Sequence, residues 1–313
     1  MKRVGAGVIV LLALSFLLQA CGDKKVFLNI ATGGTAGTYF PLGGAMAEVI
    51  NKNVGGANAT AVSTGASVAN VNMLGTNEVQ MAFIQNDIAF YAYNGQEMFK
   101  DKKQANLRAV AALYNETIQI VTLASSGVKS LADIKGKRVA VGAAGSGTEV
   151  NARQILETVG LTYNDIKVQY LSFGEAANGL RDGNTDVAFN TAGAPTAAIR
   201  DIAAQKDIVI VPVPKDVADK LIAKYPFYAP QTIAKDTYNK QTADVPTVTV
   251  KSILVANADL DANFVYKATK ALFTNLDRLA QAHAKGKDIT KASATEALPI
   301  PLHPGAEKFF KEK

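Results

Sequence analysis

The sequence is poor in the residues on which several classes of function depend. Its 313 residues include one cysteine, two histidines and no tryptophan. One cysteine excludes a disulfide framework within the chain, and two histidines beside it leave too few ligands for a soft-metal site. The chain also lacks runs of lysine and arginine interleaved with aromatic residues. We therefore expect no metal and no nucleic-acid partner.

Length and composition are those of a globular protein with two domains. Hydrophobic residues make up 48% and charged residues 19% of the chain, which is too apolar for a disordered protein. The length of 313 residues is about twice that of a typical domain. We therefore expect two domains, each with its own hydrophobic core.

The N-terminal region has the layout of an export signal. Lys2 and Arg3 precede an uncharged apolar run at residues 4–18, which is shorter than a transmembrane helix requires. Cys21 then follows Leu-Gln-Ala, a pattern that resembles the lipobox of bacterial lipoproteins. We interpret residues 1–20 as a signal peptide and expect a lipid on Cys21. The alternative is an ordinary secretory signal whose removal leaves a free thiol.

An inexact internal repeat is the most informative long-range feature. In each half, an apolar strand pattern ending at Ile30 or at Val141 leads into a glycine- and threonine-rich turn and then a helical pattern. Each unit continues with another strand, a helix and a second apolar strand, which ends near Ile84 or Asn190. The repeat predicts two α/β lobes of similar construction.

Two extended stretches rich in β-branched residues lie outside the repeat, at residues 107–124 and 245–256. We interpret them as crossovers between the lobes, and we expect the lobes to close on a solute by hinge motion. The predicted division of the chain is lobe one at residues 21–115 and 251–313, and lobe two at residues 116–250.

The remaining segments are predicted from composition and periodicity. The polar, proline-containing segment 225–247 has the composition of a linker. An apolar stripe from Phe264 to His283 predicts one long helix, and Pro304 suits the start of a last short helix. We expect the C-terminus to return to lobe one.

The glycine-rich turns do not have nucleotide-binding spacing. Gly142, Gly145 and Gly147 form G-x-x-G-x-G instead of the dinucleotide pattern G-x-G-x-x-G, and the phosphate-binding G-x-x-x-x-G-K-[ST] does not occur. A G-x-S-x-G nucleophile motif is also missing. His283 falls on the apolar stripe and His303 lies in a turn before Pro304. We therefore expect no cofactor and no enzymatic activity.

The same turns suit anion binding. In open α/β sheets ligands bind beyond the carboxyl ends of the strands, where each of these turns begins a helix. The unpaired N–H groups of a first helical turn, together with the helix dipole, favour a carboxylate. We therefore expect five segments to face one cleft, namely residues 35–39, 64–70, 85–87, 145–148 and 191–195.

Every one of these motifs also has a purely structural explanation. Glycine, serine and threonine cap helices in any α/β protein, Tyr39 suits packing in a first turn, and residues 85–87 suit capping. Ser146 and Ser172 are each followed three residues later by glutamate, which is the spacing of a capping box. Pro195 suits a first helical turn. The sequence leaves both explanations open.

Five motifs follow one another along the chain. They are GGTAGTYFP from Gly33, STGASVAN from Ser63, QND from Gln85, VGAAGSGTE from Val141 and LHPGA from Leu302. Together they resemble the TAXI family of solute receptors, which serve tripartite ATP-independent periplasmic (TRAP) transporters. The resemblance extends from about Val26 to the C-terminus.

This resemblance implies an α/β protein with the type II periplasmic-binding-protein fold, in which two lobes joined by two crossovers enclose a ligand cleft. It implies a periplasmic receptor that binds a small carboxylate, such as glutamate or 2-oxoglutarate, and delivers it to a membrane permease driven by an ion gradient. The cleft argument and the resemblance together predict these ligand-binding residues: Gly34, Thr35, Tyr39, Ser67, Asn70, Gln85, Asp87, Gly145, Ser146, Gly147, Thr148, Asn190 and Pro195.

Two other classes of function stay open at this stage. A hydrolase built on the same lobes would bring a nucleophile and a base together in the cleft. A surface sensing or adhesion lipoprotein would present the cleft to a partner protein instead of a permease. A cleft lined by hydroxyl, amide and backbone N–H groups, without a reactive pair, would favour the receptor.

Overall fold

The computed structural model describes residues 25–312. The predicted signal peptide and Cys21 lie outside the described residues. Within the described part of the chain, no helix is long and apolar enough to cross a membrane, and no group of three histidine, cysteine or acidic side chains is placed to hold a metal ion.

Ten strands form one mixed sheet in the described residues. Their order is β2-β1-β3-β10-β4-β7-β5-β6, with β8 paired to β4 and β9 paired to β10. The strands are β1 (Val26–Ala31), β2 (Ala57–Val62), β3 (Met81–Gln85), β4 (Leu107–Leu123), β5 (Arg138–Ala140), β6 (Lys167–Gln169), β7 (Val187–Ala192), β8 (Ile208–Val211), β9 (Ala229–Ile233) and β10 (Val245–Asn257).

Between residues 25 and 312 the α-helices are also ten in number. They are α1 (Tyr39–Asn53), α2 (Ser67–Gly75), α3 (Asn86–Asn94), α4 (Gly147–Thr158), α5 (Phe173–Arg181), α6 (Ala197–Ala203), α7 (Lys215–Lys224), α8 (Ala262–Thr274), α9 (Leu276–Ala282) and α10 (Pro304–Lys311). In α1, Leu42, Met46 and Ile50 recur every four residues and are almost fully buried, so this stripe orients the helix on the sheet.

The long strands β4 and β10 belong to both lobes. One end of β10 pairs antiparallel with β3, and the far half of β4 pairs antiparallel with β7. Between these ends β4 and β10 pair with each other, and Glu116 lies opposite Val250. The two predicted crossovers are therefore confirmed as strands. The lobe boundaries at residues 115/116 and 250/251 lie within these two strands and stay a prediction.

Each lobe has two hydrophobic clusters among its buried residues. In lobe one, one cluster contains residues of α1 and α8, and the other contains residues of α2 and α3 together with Val150 of α4. In lobe two, one cluster contains residues of α4 and α7, and the other contains residues of α5 and α6. Helices thus cover the sheet with apolar faces, which makes each lobe an α/β unit, as the repeat predicted.

The prediction of one long helix after the second crossover is wrong. The structure breaks it at Asn275, whose side-chain Nδ2 donates to the carbonyl of Ala271 at 2.8 Å and so competes with the backbone of the last turn. His283 lies beyond the end of α9, and its Nδ1 accepts the N–H of Lys285 at 3.1 Å. The apolar pattern that includes His283 therefore does not correspond to one continuous helix face.

The interpretation of residues 225–247 as a linker is also wrong. Strand β9 lies within this segment and pairs antiparallel with β10, and Tyr228 and Tyr238 are buried. The polar composition misleads because β9 is an edge strand with mostly exposed side chains. Pro195 likewise does not begin a helix, since α6 starts at Ala197 with Thr196 as its N-cap.

Candidate functional site

A cleft of about 570 Å³, including its opening to solvent, lies between the lobes. Lobe one and β4 contribute Gly33, Gly34, Gly37, Thr38, Tyr39, Thr64, Gly65, Ala66, Ser67, Gln85, Tyr114 and Glu116. Lobe two contributes Ala143, Ser146, Gly147, Thr148, Ser172, Phe173, Thr191 and Ala192. None of these described lining residues is a lysine, an arginine or a histidine. The lining therefore offers only neutral donors to an anion.

The start of α1 forms one wall of the cleft. The Oγ1 of Thr38 accepts the N–H of Gly193 from lobe two at 3.1 Å, so this side chain is used for contact between the lobes and does not cap α1. The ring of Tyr39 packs on Phe83 with the ring centroids 5.1 Å apart. Its hydroxyl is buried without a partner in the described structure. Burial, followed by the nearby Glu116, raises the pKa of Tyr39.

The start of α4 forms the opposite wall. The Oγ of Ser146 accepts the N–H of Glu149 at 3.1 Å and caps the helix. The reciprocal half of the predicted capping box is missing, because Oε1 of Glu149 accepts the hydroxyl of Tyr163 at 2.7 Å instead. The N–H groups of Gly147 and Thr148 belong to the first turn, where a helix has no backbone acceptor for them. They are suited to an anion in the cleft.

Protein groups occupy the N-termini of α2 and α3. The carbonyl of Gly145 accepts the N–H groups of Val68 and Ala69 in α2, both at 3.0 Å. In α3, Oδ1 of Asp87 accepts the N–H of Ile88 at 2.8 Å. The carbonyl of Gly145 therefore pairs two N–H groups of a helix in the opposite lobe, and Asp87 pairs one first-turn N–H of its own helix.

Four further predicted residues lie outside the cleft lining. Asn70 is fully buried and its Nδ2 donates to the carbonyls of Thr32 and Phe83, each at 2.7 Å. Asn190 is buried in β7, Pro195 precedes α6, and Thr35 is exposed.

The structure thus divides the predicted site residues into two groups. Those that line the cleft are Gly34, Tyr39, Ser67, Gln85, Ser146, Gly147 and Thr148. Those that do not line it are Thr35, Asn70, Asp87, Gly145, Asn190 and Pro195. Of residues 85–87, Gln85 lines the cleft, whereas Asp87 accepts the N–H of Ile88 within α3.

Sequence reasoning missed the contribution of β4 to the cleft. Glu116 and Tyr114 line it, and both side chains are 1% exposed. Burial raises the pKa of Glu116 to about 7, although the nearby hydroxyls of Tyr39 and Ser252 and the amide of Gln85 oppose this rise. The available signal was a single acidic residue in the middle of a long strand rich in apolar residues. The start of α5 was missed too, since Ser172 and Phe173 also line the cleft.

A buried polar network joins the lobes outside the cleft lining. Nδ2 of Asn151 in α4 lies 3.1 Å from Oδ2 of Asp87 in α3 and 2.9 Å from the hydroxyl of Tyr228. The Tyr228 hydroxyl donates to Oε1 of Gln154 at 2.6 Å. Burial raises the pKa of Asp87 to about 7. The lobes therefore meet through side-chain hydrogen bonds as well as through the crossovers.

Neither histidine reaches the cleft. Nδ1 of the fully buried His303 accepts the N–H of Gly305 at 3.2 Å and caps α10, and His283 caps the turn that follows α9. Burial lowers the pKa of both imidazoles. Both side chains therefore have a structural role, and no imidazole is available there to serve as a base for a cleft nucleophile.

The chain belongs to the NMT1-like family, whose model matches residues 30–313. The match covers both lobes and every segment that lines the cleft. It also agrees in extent with the sequence resemblance, which began at about Val26.

Solved structures of similar architecture cover most of the chain. CAE31940 from Bordetella bronchiseptica RB50 is 18% identical with a TM-score of 0.55, and the match covers 91% of this chain and 82% of that one. PhnD1 from Prochlorococcus marinus MIT 9301, solved with methylphosphonate, is 11% identical with a TM-score of 0.55, covering 83% and 90%. The predicted type II periplasmic-binding-protein fold is confirmed.

Proposed function

We propose that this member of the NMT1-like family is an extracytoplasmic solute receptor that binds a small carboxylate between its lobes and delivers it to the permease of a TRAP transporter. The observation that carries the proposal is the pair of helix N-termini that open on the cleft from opposite lobes. First-turn N–H groups of α1 and α4 can bind one anion from two sides, so solute binding and lobe closure support each other.

The proposed binding residues are those predicted residues that line the cleft. Ser146, Gly147 and Thr148 offer one hydroxyl-capped helix start, and Gly34 and Tyr39 lie on the opposite wall. Three of the predicted residues outside the lining hold other segments in place and do not contact the solute. Asn70 and Gly145 hold the segments that carry the lining, and Asp87 holds α3 against lobe two.

The transporter class and the membrane anchor rest on the sequence. The five motifs support a TRAP partner, and the residues before Cys21 support a lipoprotein that is anchored on the periplasmic side. Uptake in vesicles containing the receptor and its permease should follow an imposed sodium or proton gradient. Uptake that follows ATP hydrolysis and ignores the gradient would contradict the TRAP assignment.

A second candidate solute is a phosphonate. PhnD1 was solved with methylphosphonate, and the neutral donors of a helix N-terminus suit a phosphonate as well as a carboxylate. Calorimetry with L-glutamate, 2-oxoglutarate and methylphosphonate separates the two, and mass spectrometry of solute released from the purified protein identifies the natural one. A released solute without an anionic group would refute both.

A further inference from the structure

Glu116 places a carboxyl group in the wall of a cleft that is expected to hold an anion. It lies in β4 opposite Val250 of β10, where the two strands that join the lobes pair with each other. The side chain is 1% exposed. The described residues that line the cleft include no basic side chain. A buried carboxylate without a cationic partner is costly, so either a proton or a bound cation must compensate it.

The hydrogen-bond partners of this carboxyl group are incomplete. Oε2 of Glu116 accepts a hydrogen bond from Nε2 of Gln85 at 3.3 Å, whereas Oε1 of Glu116 is buried with no partner. Oε1 of Gln85 and Oγ1 of Thr191 also line the cleft and are buried without partners in the described structure. The oxygens of an ionised Glu116 and Oε1 of Gln85 can only accept, so a ligand that brings hydrogen-bond donors of its own would pair them.

An ammonium group has the required chemistry. It carries three N–H donors and a positive charge, and its hydrogen bonds to a carboxylate are among the stronger ones in proteins. A carboxylate on the same solute suits the open first turn of α4 at Ser146–Thr148. A zwitterion therefore has a charged group for Glu116 and another for the start of α4, whereas a second carboxylate on the solute would meet no basic side chain in the lining.

We propose that Glu116 binds the ammonium group of the solute, and that the natural solute is an α-amino acid with an uncharged side chain. This inference rests on the proposed receptor function and narrows its solute class. It ranks L-glutamine above L-glutamate, and both above glutarate and 2-oxoglutarate, which carry two carboxylates and no amine.

The pH dependence of binding follows from the same contact. Burial raises the pKa of Glu116 to about 7 in the free receptor. The titratable groups that face Glu116 are the hydroxyls of Tyr39 and Tyr114. The charge of Asp87 in α3 also raises the pKa of Glu116. An ammonium ligand requires the ionised carboxylate, so affinity for L-glutamine should fall about tenfold from pH 8 to pH 6. A carboxylate that bound to protonated Glu116 would give the opposite sign.

The experiment is calorimetry on the purified full chain with L-glutamine, L-glutamate, glutarate and 2-oxoglutarate. The unmodified protein should bind L-glutamine at least tenfold more tightly than either acid without an amine. Glu116→Gln should lose at least tenfold in affinity for the two amino acids and lose nothing for the other acids. Glu296→Gln removes an exposed acid outside the cleft and should behave as the unmodified protein does.

Several outcomes would overturn the inference. Equal or tighter binding of glutarate or 2-oxoglutarate, or an equal loss for all four compounds in Glu116→Gln, would refute the ammonium contact but leave a receptor. The comparison of solutes and the titrations at pH 6 and pH 8 use the unmodified protein, so they decide the matter even if the variant fails to fold. Failure to bind any small anion would refute the receptor itself.

Discussion

Replacing Gly147 by alanine tests how the lobes meet around the solute. Gly147 is the first residue of α4 in lobe two, and a Cβ at this position would collide with the side-chain amide of Gln85 in lobe one. The backbone of Gly147 lies outside the left-handed region, so alanine suits its local conformation. The substitution therefore acts on the contact between the lobes and leaves the helix intact.

The expected loss of affinity can be worked from the displaced side chain. Gln85 must turn away from Gly147, which breaks the 3.3 Å hydrogen bond from its Nε2 to Glu116 and leaves buried groups unpaired. Such a loss costs about 1–3 kcal/mol, or about a 5- to 150-fold rise in Kd. The better helix propensity of alanine offsets at most about 0.5–1 kcal/mol of this cost, so the melting temperature of the variant is measured beside its Kd.

Two measurements check this expectation. Calorimetry with the natural solute gives the change in Kd, and small-angle scattering shows whether the variant still contracts when solute is added. Gly44→Ala is the matched control, because it lies on the exposed side of α1 and its Cβ would contact nothing within 4 Å. If Gly147→Ala binds as tightly as Gly44→Ala and contracts as fully, the lobes do not close against Gln85 and the reasoning is refuted.

Four other predictions concern single groups. Ser146→Ala should weaken solute binding by about five- to thirtyfold in calorimetry, since one hydroxyl is lost, and unchanged binding by the folded variant would move the site away from α4. Tyr39→Phe removes an unpartnered buried hydroxyl, so we expect weaker binding with no drop in melting temperature, and full affinity would show that only the ring matters. Because burial raises the pKa of Asp87 from about 4 to about 7, stability should decline as pH rises through that range, and Asp87→Asn should make the decline less steep by up to about 1.4 kcal/mol per pH unit in denaturant titrations. Cys21→Ser should release the protein from membranes on fractionation, and unchanged membrane association would contradict lipidation.

Local periodicity was sufficient to predict most of the fold. Strand, glycine-rich turn and amphipathic helix recur at similar spacing in both halves, and each such unit needs only neighbours along the chain to be recognised. The crossovers were recognisable because β4 and β10 are unusually long and β-branched. The failures arose where a single polar side chain redirects the backbone, as Asn275 does at the end of α8, and where an edge strand exposes most of its side chains, as β9 does.

The candidate site was harder to predict because the use of a helix N-terminus is decided by distant residues. The four motifs at the starts of α1, α2, α3 and α4 look equally suited to an anion in the sequence. Folding closes the start of α2 with the carbonyl of Gly145 and that of α3 with the carboxylate of Asp87. Neither contact could be read from local sequence, because the first joins residues of different lobes and the second depends on a rotamer.

The two starts that stay open lie on opposite lobes, and Glu116 lies between them on the strand pair that joins the lobes. A solute that spans this space contacts both lobes and the point about which they would turn. A solute favours closure only if it binds the closed form more tightly than the open form. The groups that can supply this difference are those that approach one another as the lobes close, namely the walls at Tyr39 and Gly147. Substitutions in these walls should therefore change affinity and closure together, whereas a substitution at Glu116 should change the choice of solute and leave the extent of closure unaltered.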